Sequence, residues 1–390
     1  RPAGKARGGR VIVILVGSLQ AVAVSRTVDG QRVTPALDAL AADGVYFPNA
    51  YTQVSAGNTA DAEVMVSAGL YPLGSKPLSE EYGDRVIPSL PRSLAAIGYA
   101  PMTFHPNDRE YWNRDQLYPA LGFTEIYDKD FYGDTDVIGI GSSDEALFAE
   151  ALPELKRKHD AGTPFYAAFV TLTGHHPFEI PADRQRLKLP AEMRGTLTGD
   201  YLVSMNYADL AIGQFVDGLK KEGIYDDCVI VVVGDHFGLQ QPQMSAEDMA
   251  VAEKLLGRPY NDADRINIPL VVTAPGITGG SVVTRPVGQV DVMPTVAALL
   301  GLPLDAQVHF GRDALGGGPV LLGERYYLAA GTFIDDRRIV VVNEDTTMEA
   351  YDALTREPLA KPGAGADATA ERVVRLQELS DAYVSALPKR

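Results

Sequence analysis

Residue types that can do chemistry gather at a few points of the 390-residue sequence, each shortly after an apolar run. The pair Asp235-His236 follows "VIVVVG" and offers a carboxylate oxygen and an imidazole nitrogen, which suit Mn²⁺ or Zn²⁺. The pair His175-His176 follows another apolar run, and His105 leads into "REYWNRD" (Arg109–Asp115). Four of the six histidines therefore lie at the ends of predicted strands.

Each of these segments also has a purely structural interpretation. Asp235-His236 can be a turn with an incidental histidine, and His175-His176 before Pro177 can be an ordinary loop. The segment "YWNRD" can be a surface aromatic beside an Arg-Asp ion pair. The residues alone leave both interpretations open.

The stretch "SAGNTADAE" (Ser55–Glu63) raises the same question for Thr59. A Gly-Asn-Thr step followed by Ala, Asp, Ala and Glu is typical of a helix start, and acidic residues in the first turn suit the helix dipole. Taken alone, the stretch favours a capping role for Thr59 over a role as a nucleophile.

These segments require a sheet that holds them together. Strand-like runs such as "RVIVILVGSL" (Arg10–Leu19) alternate with helical patterns, which predicts an α/β fold with a central, mostly parallel sheet flanked by helices. Thr34–Gly44 is predicted to be a helix capped by Thr34, and a long amphipathic helix is predicted around Tyr201–Glu222. Because ligands bind beyond the carboxyl ends of strands in such sheets, we expect the chemistry there.

The last part of the chain has a different pattern. Two short apolar runs, "RYYLAAGTFI" and "RRIVVVNE", precede a closing amphipathic helix, "ATAERVVRLQELSDAYVSAL". This pattern predicts a small antiparallel sheet with a helix packed on it. We expect a linker or tail over residues 1–10, a catalytic domain over 11–309 and a small C-terminal subdomain over 310–390.

Composition excludes several classes of protein. The net charge of −16 argues against binding to a nucleic-acid backbone, which needs clustered Lys and Arg. The single cysteine, Cys228, excludes an internal disulfide framework and is predicted to pack in the core. The run "VIVILV" is far shorter than the ~20 residues of a membrane helix. No signal peptide is visible, and an anchor preceding the chain is compatible with the sequence.

Several motifs, in their order, resemble the lipoteichoic acid synthase family of phosphoglycerol transferases, within the alkaline phosphatase and sulfatase superfamily. The absence of a Cys/Ser-x-Pro-x-Arg signature argues against a formylglycine sulfatase. The motifs that carry the resemblance are "VTPALDALAADGVYFPNAYTQVSAGNTADAE", "SAGLYPLG", "YWNRDQLYPALGF", "TLTGHHPF", "VVGDHFG", "INIPLVV", "GQVDVMPTVAALLGLP" and "HFGRDAL".

The resemblance implies a role for each matching residue. Thr59 would be the nucleophile and a ligand of a divalent metal, Mn²⁺ with Mg²⁺ or Zn²⁺ as alternatives, and Asp235 and His236 would be further ligands. Trp112, Arg114 and His175 match positions that contact the glycerol phosphate of the substrate.

One family position is not matched. The resemblance places a metal-binding glutamate at the end of the first strand, where this chain has Gly17 followed by Ser18. No acidic residue lies between Arg10 and Asp29 to replace it. The chain has changed or lost its chemistry, carries an inactivating substitution, or takes an acid from elsewhere in the fold.

The resemblance further implies an activity and a location. Glycerol phosphate would pass from a phosphatidylglycerol-like lipid to a hydroxyl of a glycerol-phosphate polymer or glycan, through a covalent threonine intermediate, on the extracytoplasmic side of a bacterial membrane. Membrane contact is expected through a segment outside this chain. The alternatives are a related phosphodiesterase or phosphotransferase acting on another head group or a periplasmic glucan, and a catalytically impaired homologue that binds glycerol phosphate.

Overall fold

The computed structural model describes residues 3–390 as a central sheet between two layers of helices, with a second, smaller sheet near the C-terminus. Its strands are β1 (Arg10–Val16), β2 (Thr27–Val28), β3 (Gln31–Arg32), β4 (Val45–Tyr51), β5 (Ala100–Phe104), β6 (Glu125–Tyr127), β7 (Val137–Ile138), β8 (Gly141–Ser142), β9 (Phe165–Val170), β10 (Cys228–Gly234), β11 (Asn267–Thr273), β12 (Ser281–Val282), β13 (Val287–Gly288), β14 (Leu321–Glu324), β15 (Thr332–Asp335), β16 (Arg338–Val342), β17 (Met348–Asp352) and β18 (Pro358–Leu359). Its helices are α1 (Pro35–Asp43), α2 (Asn58–Ala68), α3 (Leu78–Tyr82), α4 (Leu90–Ala95), α5 (Arg114–Leu121), α6 (Lys129–Tyr132), α7 (Asp144–Asp160), α8 (Leu197–Lys221), α9 (Ala246–Leu256), α10 (Asp262–Arg265), α11 (Val292–Leu300) and α12 (Ala366–Ala386).

The central sheet has the order β12-β4-β11-β10-β1-β9-β5-β6, and β13 also pairs with β4. Strands β10, β1, β9, β5 and β6 run parallel to one another, whereas β11 runs antiparallel to both β10 and β4. The predicted α/β architecture with a mostly parallel sheet is therefore confirmed. Since Val16 pairs with Gly234, β1 and β10 end at the same level and their following loops lie side by side.

Both faces of the sheet are buried, as a continuous apolar strand predicts. In β1, Val11, Val13 and Leu15 pack in one core with side chains of α2 and α11. The alternate residues Ile12 and Ile14 pack in the other core with side chains of α1, α7 and α8. Helices on both faces hold the strands in place, so the loops after the strands have a rigid base.

The first predicted helix is present, but its cap differs from the prediction. Thr34 precedes α1 without a side-chain capping bond. The carboxylate of Asp209, on α8, instead accepts hydrogen bonds from the N–H groups of Ala36 and Leu37, both 2.8 Å long. The orphan donors of the helix start are thus satisfied by a residue distant in sequence.

The C-terminal region forms an antiparallel sheet in the order β14-β15-β16-β17-β18, and Phe333 and Val340 of that sheet pack with Val373 of α12. This agrees with the predicted small sheet and closing helix. Near the other terminus, Ala6 is buried and its N–H donates to Leu299 O at the end of α11. The proposed domain boundaries at residues 10 and 309 stay predictions.

Two further predictions concern single features. Cys228 is a buried free thiol at the start of β10, which agrees with a role in core packing. Among residues 3–390, none of the helices combines the length and the apolarity that crossing a membrane requires.

Candidate active site

The loops after β1 and β10 meet at Asp235, the first residue beyond β10. Its Oδ1 accepts hydrogen bonds from the backbone N–H of Ser18, at 2.7 Å, and of His236, at 2.6 Å. The side chain is 1% exposed. Two backbone donors from different loops therefore fix the carboxylate through Oδ1, and Oδ2 can contact another group.

Thr59 meets that second oxygen. Helix α2 begins at Asn58, and Thr59 Oγ1 donates a 2.9 Å hydrogen bond to Asp235 Oδ2. The N-cap of α2 is Gly57, which makes no side-chain capping bond, and Asp61 Oδ2 in the first turn accepts from the N–H groups of Ser55 and Gly57 at 3.0 and 2.9 Å. The prediction that a helix begins at Asn58 or Thr59 is confirmed, but the hydroxyl of Thr59 is not its cap and faces the chemistry instead.

His236 completes a three-donor arrangement. Its Nδ1 lies 2.9 Å from Phe237 O, which assigns the ring proton to Nδ1 and leaves a lone pair on Nε2. Nε2 lies 3.3 Å from Asp235 Oδ2. An imidazole lone pair, a carboxylate oxygen and a hydroxyl at one point form a donor set that fits a divalent cation with three protein ligands.

Gly17 lies next to these three donors and has no side chain to contribute to them. Its N–H donates to Thr171 Oγ1 at 2.8 Å. A Cβ at this position would meet only Thr171, at 3.5 and 3.6 Å, so the backbone does not require glycine. Within the part of the chain that the structure describes, no group of three or more His, Cys, Asp or Glu side chains is arranged as a metal site.

A cavity of about 280 Å³ opens above Thr59. Ser18, Asn58 and His236 also contribute to its wall. The rings that line it, besides that of His236, come from Tyr111, Trp112, His175, His176, Phe178, Phe237 and Tyr327. This combination of a polar floor and an aromatic wall suits a small polar ligand that carries a less polar part.

Two of the predicted substrate residues lie in this cavity. Trp112 is half-buried in its wall, and His175 is exposed at its mouth. Trp112 and Asn113 both have left-handed backbones, with φ of 60° and 53°. Such conformations cost about 1–3 kcal/mol each in non-glycine residues and concentrate at functional sites, where surrounding contacts impose them. Asn113 Nδ2 supplies one such contact by donating to Ser79 O at 2.6 Å.

Arg114 lies below the cavity rather than in its wall. It is 1% exposed, and its Nε donates to Glu63 Oε2 at 3.0 Å. Tyr118 donates to the other oxygen of Glu63 at 2.7 Å. Burial alone would lower the pKa of the Arg114 guanidinium, but the negative charge of Glu63 has the larger effect together with its neighbours, and the pKa is raised. Arg114 also borders a small recess of about 20 Å³ that it shares with Thr59.

His105 borders the same recess. It is 5% exposed, its Nδ1 lies 2.9 Å from Val170 O, and burial lowers its pKa well below the ordinary value. The ring is therefore neutral at pH 7. His176 also contributes to the wall of the larger cavity.

Several residues of the site escaped the sequence reasoning. Asn58 and Phe237 are neighbours of predicted site residues and line the cavity. Tyr327 comes from the C-terminal region, and its hydroxyl donates to Asn58 Oδ1 at 2.6 Å. No pattern around Tyr327 links it to the catalytic segments, because the link exists only in the tertiary fold.

The fold and this arrangement of donors define a sulfatase-fold protein. The family model described as Sulfatase matches residues 10–302. The crystal structure of the lipoteichoic acid synthase LtaP from Listeria monocytogenes is 34% identical and superposes with a TM-score of 0.92, over 100% of this chain and 95% of that one. The chain belongs to the sulfatase family and, within it, to the lipoteichoic acid synthases.

Two more relatives extend the comparison. Lipoteichoic acid synthase 2 of Bacillus subtilis is 32% identical over 374 residues, which are 91% of this chain and 56% of that protein. The chain thus spans about half the length of the curated relatives it matches. A protein of the alkaline phosphatase superfamily from Vibrio parahaemolyticus shares the fold, with a TM-score of 0.77 at 19% identity, over 98% of this chain and 90% of that one. The predicted alkaline phosphatase/sulfatase-like fold is confirmed.

Proposed function

We propose that this chain is the catalytic part of a phosphoglycerol transferase that moves glycerol phosphate from a phosphatidylglycerol-like lipid to an acceptor hydroxyl. The observation that carries the proposal is the hydroxyl of Thr59, which faces the cavity at the start of α2 and donates to Asp235. The names of the relatives, lipoteichoic acid synthases, support the same chemistry.

Thr59 is the nucleophile of a double displacement. Its Oγ gives up its proton and attacks the phosphorus of the lipid, the phosphorus–oxygen bond to diacylglycerol breaks, and the leaving oxygen takes up one proton, so the step is neutral in protons. An acceptor hydroxyl then attacks the same phosphorus, the bond to Thr59 breaks, and the proton of the acceptor returns to the threonine. Asp235 holds the hydroxyl in position by accepting its hydrogen bond. The N-terminus of α2 favours the anionic phosphate.

A divalent cation would be held by Thr59, Asp235 and His236. When bound, it supplies Lewis-acid stabilisation of charge and lowers the pKa of the hydroxyl. Mn²⁺ is the expected ion, with Mg²⁺ and Zn²⁺ as alternatives. Because Gly17 offers no carboxylate, we expect weaker binding than in a site with a fourth protein ligand.

The substrate contacts follow from the walls of the cavity. Trp112 covers the glycerol part, and His175 at the mouth donates to a phosphate or glycerol oxygen. Arg114 acts from the recess, where its Nε and Nη1 are already engaged by Glu63 and by Tyr111 O. Its remaining nitrogen, Nη2, is the atom that reaches a phosphate oxygen.

The acceptor is a glycerol-phosphate polymer or a glycan, and the enzyme acts on the extracytoplasmic side of a bacterial membrane. Attachment of the protein to the membrane is expected through a segment outside this chain. These assignments rest on the family and not on a single side chain of the site.

The test is release of the glycerol-phosphate head group from phosphatidylglycerol at increasing Mn²⁺ concentrations. We expect Mn²⁺-dependent release by the wild type and none by Thr59→Ala. Thr369→Ala removes a half-buried hydroxyl near the start of α12, which donates to Gly365 O, and serves as the matched control with unchanged release. Full release by Thr59→Ala would refute the nucleophile, and release that ignores Mn²⁺ and chelator would refute the cation.

A second candidate function is favoured by Gly17: a homologue that binds glycerol phosphate without turnover. It predicts that sn-glycerol-1-phosphate binds in calorimetry while no head group is released at saturating Mn²⁺. Release by the wild type that is abolished in Thr59→Ala would exclude this candidate.

A further inference from the structure

Asn58 stands directly before Thr59 at the start of α2 and lines the same cavity. Its backbone is left-handed, with φ of 43°. This conformation is uncommon outside glycine, although asparagine tolerates it better than most residues, and it concentrates at functional sites. The fold thus holds a half-buried amide in the cavity wall, next along the chain to the hydroxyl of Thr59.

The hydroxyl of Tyr327 determines which way this amide points. It lies 2.6 Å from Oδ1 of Asn58, a length typical of an O–H···O bond and below the range of about 2.7–3.2 Å for N–H···O bonds. The distance therefore places the amide oxygen on the tyrosine. Among residues 3–390, Nδ2 of Asn58 meets no hydrogen-bond acceptor and is not buried, so both of its N–H donors are available to a ligand.

Tyr327 is itself fixed by its neighbours. Its ring packs edge-on against Phe237, with centroids 4.7 Å apart. Its carbonyl oxygen accepts a 3.0 Å hydrogen bond from Nη2 of Arg265. The guanidinium of Arg265 also lies over the Phe237 ring, 5.6 Å from its centroid. Because these three side chains pack as one unit, the hydroxyl that orients Asn58 has a fixed position.

A phosphate that Thr59 attacks lies within reach of this amide. Consecutive Cα atoms are about 3.8 Å apart, and the side chains of Asn58 and Thr59 both line the cavity. The phosphate oxygens are negatively charged, as is the carboxylate of Asp235 that contacts Thr59, so donors are needed that offset the repulsion. An N–H group that is oriented before the reaction stabilises such charge without having to reorganise.

We propose that Nδ2 of Asn58 donates a hydrogen bond to a non-bridging phosphate oxygen of the substrate, and that Tyr327 orients the amide for this contact. The inference rests on the proposed function, because it takes Thr59 to be the group that attacks the phosphate. Asn58 is then a catalytic residue. Tyr327 acts through Asn58 and is a positioning residue, which the C-terminal region supplies to the site.

The test is calorimetric titration with sn-glycerol-1-phosphate and, separately, with inorganic phosphate, both in the presence of Mg²⁺. Asn58→Gly removes the amide and keeps a residue that adopts the left-handed backbone freely. It should bind both ligands about tenfold more weakly, the effect of losing one hydrogen bond to a charged group. Asn58→Asp can still accept from Tyr327 but replaces the donor with a carboxylate oxygen, so it should weaken the binding of both ligands further.

The role of Tyr327 is tested by a double-mutant cycle. Tyr327→Phe keeps the ring against Phe237 and removes the hydroxyl, so the amide must be ordered during binding and both ligands should bind about threefold more weakly. In Asn58→Gly/Tyr327→Phe the loss should equal that of Asn58→Gly alone, because the tyrosine acts through the amide. The control Tyr326→Phe removes the hydroxyl of the adjacent, 54% exposed ring and should bind like the wild type.

Head-group release distinguishes this inference from the proposed function. A wild type that binds both ligands in the expected pattern but releases no head group would refute the transferase activity and support the phosphate contact. Binding and release by Asn58→Gly and Asn58→Asp that equal those of the wild type would refute the contact and leave the activity intact.

Three further results would overturn the proposal. Weaker binding of sn-glycerol-1-phosphate with unchanged binding of inorganic phosphate would place the amide of Asn58 on the glycerol. Additive losses in the double variant would remove the positioning role of Tyr327. A wild type that binds neither ligand would show that the cavity offers no phosphate contact.

Discussion

The hydroxyl of Thr59 donates a 2.9 Å hydrogen bond to Oδ2 of Asp235, a residue 176 positions away in the sequence. Helix α2 begins at Asn58 after the N-cap Gly57 and has no side-chain capping bond, so the hydroxyl of Thr59 does not serve as its cap. Asp235 is in turn held by the N–H of Ser18 after β1. Segments after β1, after β10 and at the start of α2 thus meet at the two oxygens of one carboxylate.

Asp235→Asn should abolish turnover while preserving the fold. The asparagine oxygen can still accept from the N–H groups of Ser18 and His236, but an amide replaces the charged Oδ2. We expect head-group release to fall by ~10²-fold or more, the scale on which loss of one electrostatic group is felt. A circular-dichroism melting curve checks the fold. Retained release with an intact fold would contradict the role of Asp235.

Gly17→Glu should strengthen Mn²⁺ binding by at least about tenfold, because it adds a carboxylate beside Asp235. The site accepts a side chain, since a Cβ at residue 17 meets only Thr171 at ordinary contact distance. Isothermal titration calorimetry measures the affinity. Gly17→Ala fills the same space without a ligand and should bind Mn²⁺ like the wild type; equal affinity in all three proteins would show that residue 17 does not face the ion.

Glu63→Gln should destabilise the fold by about 3 kcal/mol or more, because it leaves the buried charge of Arg114 without its partner. Tyr118 would lose a charged acceptor in the same change. Urea unfolding measures the loss. Glu371→Gln breaks an exposed pair with Arg375 and should have no measurable effect. A Glu63→Gln protein as stable as the wild type would mean that Arg114 is solvated rather than paired.

Asp209 should make the stability depend on pH. Burial raises its pKa to about 7, against about 3.9 in an unfolded chain, despite the N–H donors of Ala36 and Leu37. The contribution of Asp209 to stability is therefore fully present below pH 4 and is lost as the pH rises to 7 and beyond.

Thermal unfolding at several pH values tests this titration. The wild type and Asp217→Asn, which alters an exposed carboxylate of the same helix, should lose stability in parallel between pH 4 and 7. Asp209→Asn should lose less stability over that range, even where its stability differs from that of the wild type by a constant amount at every pH. Parallel curves for all three proteins would show that Asp209 titrates as an ordinary carboxylate.

The central strands and their exits could be predicted because their sequences are unambiguous. A run such as β10 is buried at every position and ends in a Gly-Asp-His turn. Because ligands bind beyond the carboxyl ends of such strands, the position of the site follows from the position of the strand ends. Strand β4 could not be found in this way. It contains Pro48, which a regular central strand excludes, and the fold accommodates it at a register shift opposite Ile268 and Leu270.

Polar contacts between residues that are distant in the sequence could not be predicted either. "YWNRD" gives no sign that Arg114 pairs with Glu63, 51 residues away, and "ERYYL" gives no sign that Tyr327 bonds to Asn58. Such partners are set by packing of separate elements, whereas motif spacing reports only on neighbours along the chain. The metal and substrate roles of the matched residues stay predictions.

The most direct measurement of the central claim is mass spectrometry of the intact protein after a short incubation with phosphatidylglycerol and Mn²⁺, without an acceptor. The account predicts a mass increase equal to one glycerophosphoryl group, located on Thr59 by peptide mapping and absent from Thr59→Ala. Head-group release without any such adduct, or an adduct that persists in Thr59→Ala, would contradict it.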